Sequence, residues 1–114
     1  MISPQTLQLL LSFRDDRDWA QFHSARNLSA ALSVEAAELL EHFIWASDDQ
    51  VKTIAVERAP AITNEIADIA IVLSYLAHDL GIDLDAAVRQ KIEANAAKYP
   101  VEKSRGSNKK YTEL

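Results

Sequence analysis

The stretch that decides the fold is residues 62–80, Ile62-Thr-Asn-Glu-Ile-Ala-Asp-Ile-Ala-Ile-Val-Leu-Ser-Tyr-Leu-Ala-His-Asp-Leu80. Its aliphatic residues cover much more than one stripe of a helix, a pattern typical of a helix buried on several sides. A chain of 114 residues has little other material with which to cover such a helix. The pattern therefore predicts a core helix that one copy of the chain can hardly enclose.

The residues on either side of this stretch predict further helices and no strands. The chain has only two glycines and three prolines, and they fall where helices start or stop. An irregular aromatic and polar stretch follows the first helix and predicts a loop. The sequence thus predicts an all-α bundle of four to five helices, at about 4–16, 27 or 29 to 46, 49–57, 60–80 and 84–97.

Length and composition indicate one soluble domain over 1–114. Residues 98–114 are expected to form a basic, partly extended tail, which either meets a polyphosphate or is simply solvated and mobile. The net charge of −5 argues against a nucleic-acid binder. There is no run of about 18 apolar residues and no basic segment ahead of an apolar one, so we expect no membrane partner and a cytoplasmic location.

Chemistry is indicated by two pairs of carboxylates. Glu35 and Glu38 are three residues apart, and Glu65 and Asp68 repeat this spacing, so each pair lies on one face of its helix. Asp68 stands between isoleucines, where an ionised carboxylate needs compensation. If the two helices pack antiparallel, four negative charges converge. Oxygen ligands of this kind favour Mg²⁺, with Mn²⁺ as the alternative.

Other interpretations of these acids remain open. A single pair of acids on a helix usually forms a solvated face, and only the position of Asp68 and the repeated motif favour a metal. Since the chain has no cysteine, a thiolate site is excluded. A di-iron bundle needs Glu-x-x-His pairs, whereas Glu38 and His42 are four residues apart. Three interpretations of Glu41 stay open: a solvated acid, a hydrogen-bond partner of a metal ligand, or the base that orients the attacking water.

The motifs resemble those of a known family. The acids Glu35 and Glu38 followed by Glu65 and Asp68 look like the MazG-type all-α nucleoside triphosphate pyrophosphohydrolases. Further stretches resemble the dCTP pyrophosphatase branch and extend the likeness over nearly the whole chain: Arg17-Asp18-Trp19, Gln21-Phe22-His23, Arg26-Asn27-Leu28, Phe43 with Trp45, Asn95 before Tyr99-Pro100, and Lys110-Tyr111-Thr112-Glu113-Leu114.

The resemblance implies a homodimer or homotetramer that binds Mg²⁺ through Glu35, Glu38, Glu65 and Asp68. It implies hydrolysis of a deoxynucleoside triphosphate, dCTP or a modified dCTP, between the α and β phosphates, with Glu38 and Glu41 as the catalytic candidates and nucleotide-pool clearing as the role. The substrate-binding residues it implies are Trp19, His23 and Trp45 at the base, Lys91 and Asn95 near the phosphates, and Gln21 in the same loop as Trp19 and His23.

The chain also departs from that branch. It has Val72 where a tyrosine is expected and Leu10 where a histidine is expected, and Tyr75 faces about 60° away from Val72 on the helix. The preferred base is therefore open. A non-enzymatic helical adaptor, with the apolar fourth helix as its protein interface, is the alternative from another functional class.

Overall fold

The longest helix forms where the sequence predicts it. The computed structural model describes residues 1–114, in which every regular element is helical, as predicted. Two single-turn 3₁₀ helices lie at Ala20–Phe22 and Tyr111–Glu113. There are six α-helices rather than the predicted four to five: α1 Pro4–Asp16, α2 Ala25–Glu41, α3 Asp48–Glu57, α4 Ala59–Asp79, α5 Leu84–Lys98 and α6 Val101–Ser104.

The predicted bounds of α2 are wrong at both ends. The helix starts earlier because its N-cap is Ser24 rather than Asn27 or Ser29. The Ser24 hydroxyl accepts a hydrogen bond from the free backbone N–H of Asn27 in the first turn. It stops at Glu41 instead of Ala46 because the N–H groups of His42, Phe43 and Ala46 bond three residues back. His42 donates to the carbonyl of Leu39, and the chain tightens out of the α-helix.

The caps of the later helices decide where each begins. Ser47 rather than Asp48 or Asp49 is the N-cap of α3, and its backbone N–H donates to the side-chain oxygen of Gln50, as in a capping box. Asp83 caps α5 as predicted, by accepting from the Ala86 N–H. Gly81, just past α4, has a φ of 67°, which only glycine adopts without strain.

The chain divides into two compact units, residues 2–81 and residues 82–114 with Met1. In the first unit, α2 and α4 form the largest helix interface, and α1 and α3 also pack on α4. Leu28 near the start of α2 and Tyr75 near the end of α4 line the same cavity, whereas Glu38 lies beside Glu65, so α2 and α4 run antiparallel. This arrangement brings the two carboxylate pairs to the same level of the bundle.

The second unit contains α5 and α6. Its aromatic contacts are local: the rings of Tyr99 and Tyr111 meet edge to face at 6.0 Å, and the Lys98 ammonium lies 4.9 Å from the Tyr111 ring centre. A short helix, Val101–Ser104, lies in the stretch that was expected to be partly extended. The single-domain assignment of 1–114 stays a prediction.

One copy of the chain leaves α4 largely open. The buried residues of α4 are Ser74, Tyr75 and Ala77, and Ile66 remains half exposed. By length and composition α4 could also cross a membrane, a test that core helices of soluble proteins pass as well. One copy of the chain thus covers α4 only in part, as the sequence predicts, and burial of α4 on its other sides stays a prediction.

Candidate active site

Three of the predicted metal ligands meet at the interface of α2 and α4. One carboxylate oxygen each from Glu35, Glu38 and Glu65 lies within 4.8 Å of the others. The Oε2 atoms of Glu35 and Glu65 are buried and have no hydrogen-bond partner. A buried carboxylate oxygen without a partner is costly. The three carboxylates, hereafter the acidic cluster, therefore lack a compensating group.

The electrostatics of the acidic cluster lead to the same conclusion. Burial raises the pKa of Glu35, and the nearby Glu38, Asp68 and Glu65 raise it further. Burial also raises the pKa of Glu65, as do Glu38 and Asp68, while His42 opposes them. Each raised pKa means that the folded chain resists carrying all of these charges at once. Protons or a cation would relieve this repulsion.

A divalent cation fits the acidic cluster. Its donors are carboxylate oxygens alone, which suit hard cations, and two of them are buried without any other partner. Asp68, the fourth predicted ligand, lies outside this group of three and is exposed rather than enclosed. Its charge nevertheless raises the pKa of both Glu35 and Glu65, so it lies close to them.

An apolar cavity of about 410 Å³ has Asp68, the fourth predicted metal ligand, in its wall. Trp19 and His23, two of the predicted base contacts, both line it. The remaining wall comes from Leu10, Phe13, Asn27, Leu28, Ala31, Ile71, Val72 and Tyr75. We refer to this space as the aromatic cavity. Its size and apolar lining are typical of a small-molecule site.

The positions that depart from the dCTP pyrophosphatase branch all lie in this cavity. Leu10 and Val72 both line it, so the two replacements make its wall more apolar. Tyr75 lines it too, although the sequence did not make it a secure substitute for the missing tyrosine. Its hydroxyl donates to the Leu10 carbonyl at 2.7 Å, which holds α1 against α4.

The other predicted residues lie elsewhere. Trp45 and Glu41 line a second cavity, of about 510 Å³, and Trp45 is 92% exposed. Gln21 does not line the aromatic cavity, and its amide donates to the backbone and side chain of Asp18. Lys91 and Asn95 both lie on α5, in the unit of residues 82–114. Their predicted roles stay predictions.

Sequence reasoning missed one group beside the aromatic cavity. Arg14 is only 6% exposed, and its two terminal nitrogens donate to the two carboxylate oxygens of Asp79 at 2.8 and 2.9 Å. The available signal was its spacing, because Arg14 follows Leu7 and Leu10 on the apolar stripe of the first helix. A charge in such a stripe needs a partner, which Asp79 supplies from 65 residues away.

Replacing Asp79 by asparagine is expected to reduce the free energy of unfolding by about 2 kcal/mol at pH 7. This is less than the cost of breaking a fully buried pair, because the Asp79 side chain is 29% exposed. Since Arg14 lowers the pKa of Asp79, the ion pair stabilises the fold above the unfolded pKa of about 3.9 and is lost as the pH falls through the folded value.

Urea unfolding at pH 7, 5 and 3 measures this difference. The difference in the free energy of unfolding between the wild type and Asp79→Asn should be similar at pH 7 and pH 5 and smaller at pH 3. The matched control is Asp85→Asn, which breaks the exposed Arg89–Asp85 pair and should cost less than about 0.5 kcal/mol. An equal decrease in the free energy of unfolding in Asp79→Asn and Asp85→Asn would contradict a stabilising role for the Arg14–Asp79 pair.

Comparison with known proteins agrees with this geometry. A model of the MazG-like family matches residues 30–114. The chain is 44% identical to dCTP pyrophosphatase 1 of Mus musculus over 110 residues, and 38% identical to that of Homo sapiens over 109 residues. Each match covers 94% of this chain but 64% of the relative, so the chain spans less than two thirds of the length of these proteins.

A solved structure gives the same result. The crystal structure of a pyrophosphatase from Archaeoglobus fulgidus DSM 4304 superposes with a TM-score of 0.83 at 39% identity, covering 84% of this chain and 90% of that one. The family model covers most of the chain, including all three residues of the acidic cluster. These matches confirm the resemblance seen in the motifs, and the chain belongs to the MazG-like family.

Proposed function

We propose that this chain is a nucleoside triphosphate pyrophosphohydrolase that converts dCTP or a modified dCTP to the monophosphate and pyrophosphate. The observation that carries the proposal is the acidic cluster together with the aromatic cavity, which Asp68 links because it lines the cavity and raises the pKa of Glu35 and Glu65. One end of the site suits a cation with phosphates, and the other suits a flat base. Relatives over nearly the whole chain are named dCTP pyrophosphatase 1, which supports the same substrate class.

Glu35, Glu38, Glu65 and Asp68 would hold the cation, which we propose to be Mg²⁺. When bound, Mg²⁺ neutralises phosphate charge and lowers the pKa of a coordinated water. By holding the cation, the carboxylates would set the position of the phosphates relative to the attacking water. Glu38 lies next to both Glu35 and Glu65, so it is the best placed of the acids to accept the proton of that water.

Glu41 is the alternative base. It lies at the end of α2 and lines the second cavity together with Trp45. A role in catalysis would need the substrate to extend from the acidic cluster towards that cavity. Glu38 fits the proposal better, because it already belongs to the cluster.

Base recognition is assigned to the wall of the aromatic cavity. Trp19 offers an aromatic face and His23 a polar edge, and together they can stack and hydrogen-bond a pyrimidine. Trp45 lines a different cavity of the same chain, so its proposed contact with the base requires a second copy. Gln21 stays a proposed substrate contact from the same loop, and Lys91 and Asn95 stay proposed phosphate contacts.

Self-association follows from the open apolar surface. No large side chain of the chain is completely buried, and several apolar residues of α2, α3 and α4 are at least half exposed: Val34, Leu40, Val56 and Ile66. A surface of this kind is covered in stable proteins. We expect light scattering to return a dimer or tetramer of the 12.7 kDa chain, and the mass of one chain at micromolar concentration would contradict this.

The test of function is to incubate the pure protein with Mg²⁺ and separate nucleoside triphosphates and to resolve the products by ion-exchange chromatography. Monophosphate and pyrophosphate in equal amounts, formed fastest from a cytosine nucleotide, are the expected result. Release of inorganic phosphate would point to cleavage at another bond. No turnover of any triphosphate would favour the helical adaptor, with the open surface of α4 as its interface.

A further inference from the structure

The guanidinium of Arg14 is fixed between two groups on the edge of the aromatic cavity. Both terminal nitrogens donate to Asp79, and Nη1 also lies 3.4 Å from Nδ1 of His23. The guanidinium carbon lies 4.7 Å from the centre of the Tyr75 ring. Nη1 carries two hydrogens, so it can donate to Asp79 and to His23 at the same time. Arg14 therefore has a set orientation relative to the imidazole.

This contact decides which nitrogen of His23 carries a proton. A guanidinium can only donate hydrogen bonds, so the Nδ1 that faces it must offer a lone pair. In a neutral imidazole the proton then sits on Nε2. A hydrogen on Nδ1 would place two donors against each other, and a protonated ring would add a second positive charge beside Arg14. The arrangement thus favours the neutral Nε2–H tautomer.

No other charged group reverses this preference. Asp79 is the acid that faces His23, and both of its oxygens already accept from Arg14. Tyr75 packs on the imidazole with ring centres 5.2 Å apart, and its hydroxyl is occupied by the Leu10 carbonyl. Burial and then Arg14 lower the pKa of His23 while Asp79 raises it, so the neutral ring prevails.

We propose that Arg14, held by Asp79, is a positioning residue that fixes His23 as the Nε2–H tautomer and so makes it a hydrogen-bond donor to the base. The inference rests on the proposed function only for the identity of the ligand. His23 lines the aromatic cavity, and Nε2 is its one nitrogen without a partner in the chain. A cytosine ring offers O2 and N3 as acceptors to such a donor.

The first test is the tautomer of His23 in the protein without nucleotide, read from long-range ¹H–¹⁵N spectra at pH 7.5. His23→Gln assigns the resonances among the three histidines. The Nε2–H form is expected in the wild type. A dominant Nδ1–H form or a protonated ring would overturn the proposal without any variant of Arg14. The result does not depend on whether the protein turns over a triphosphate, so failure of the proposed function is seen separately.

The second test compares Arg14→Met with Arg89→Met, which removes an exposed arginine that pairs only with Asp85. In Arg14→Met we expect Nδ1–H to become the main tautomer of His23 and the binding of dCMP to weaken about tenfold, which corresponds to about one tenth of the rings keeping the Nε2–H form. Arg89→Met should bind dCMP within about twofold of the wild type. Weaker binding in Arg14→Met with an unchanged tautomer would show a merely structural role and overturn the proposal.

Discussion

Replacing Glu38 by glutamine is expected to lower kcat for triphosphate hydrolysis by about a thousandfold. The amide keeps the shape of the side chain but removes the negative charge that lies next to both Glu35 and Glu65. Charge stabilisation by a bound metal amounts to several kcal/mol, and about 4 kcal/mol corresponds to three powers of ten. We therefore expect kcat to fall and the Mg²⁺ concentration that half-saturates the reaction to rise.

The measurement is the product assay at saturating substrate over a range of Mg²⁺ concentrations. Glu102→Gln on α6 is the matched control, since it makes the same chemical change outside the acidic cluster and should keep kcat within about twofold. Circular dichroism checks that both variants keep the wild-type helix content. Full Mg²⁺-dependent turnover by Glu38→Gln would remove Glu38 from both the metal site and the catalytic step.

Adding Mg²⁺ to the metal-free protein is expected to raise Tm by about 10 °C at a cation concentration one hundred times Kd. Mass action gives about 2.7 kcal/mol of stabilisation at that ratio, and a domain of this size shifts by about 4 °C per kcal/mol. The physical source is the pair of buried Glu35 and Glu65 oxygens that no group in the chain compensates. Protein concentration must be held constant, because self-association also changes Tm.

The Glu35→Gln variant should show the opposite behaviour. Without Mg²⁺ it should melt about 4 °C above the wild type, because it removes one of the mutually repelling charges. With Mg²⁺ it should gain much less stability than the wild type, so the order of the two Tm values reverses. Sodium chloride at matched ionic strength controls for simple screening. An equal Mg²⁺ shift in both proteins would place the cation away from the acidic cluster.

The sequence predicted the helices well and their ends less well. The runs of apolar residues at helical spacing fixed the helical class, while Pro4, Gly81 and Asp83 marked boundaries that the structure has. The bounds of α2 failed because several residues near its start can serve as a cap. Which of Ser24, Asn27 and Ser29 accepts the first free N–H depends on the path of the preceding loop, and no local preference specifies that path.

By itself, the sequence determined the chemistry that is available: two carboxylate pairs at helical spacing, aromatic residues in one loop, and the membership of a family that these motifs indicate. Only the tertiary structure decided which groups meet. It joined Glu35, Glu38 and Glu65 but left Trp45 in another cavity, and it paired Arg14 with Asp79 beside His23. Such contacts arise when helices pack, and sequence spacing constrains residues of one helix but not the register between two helices.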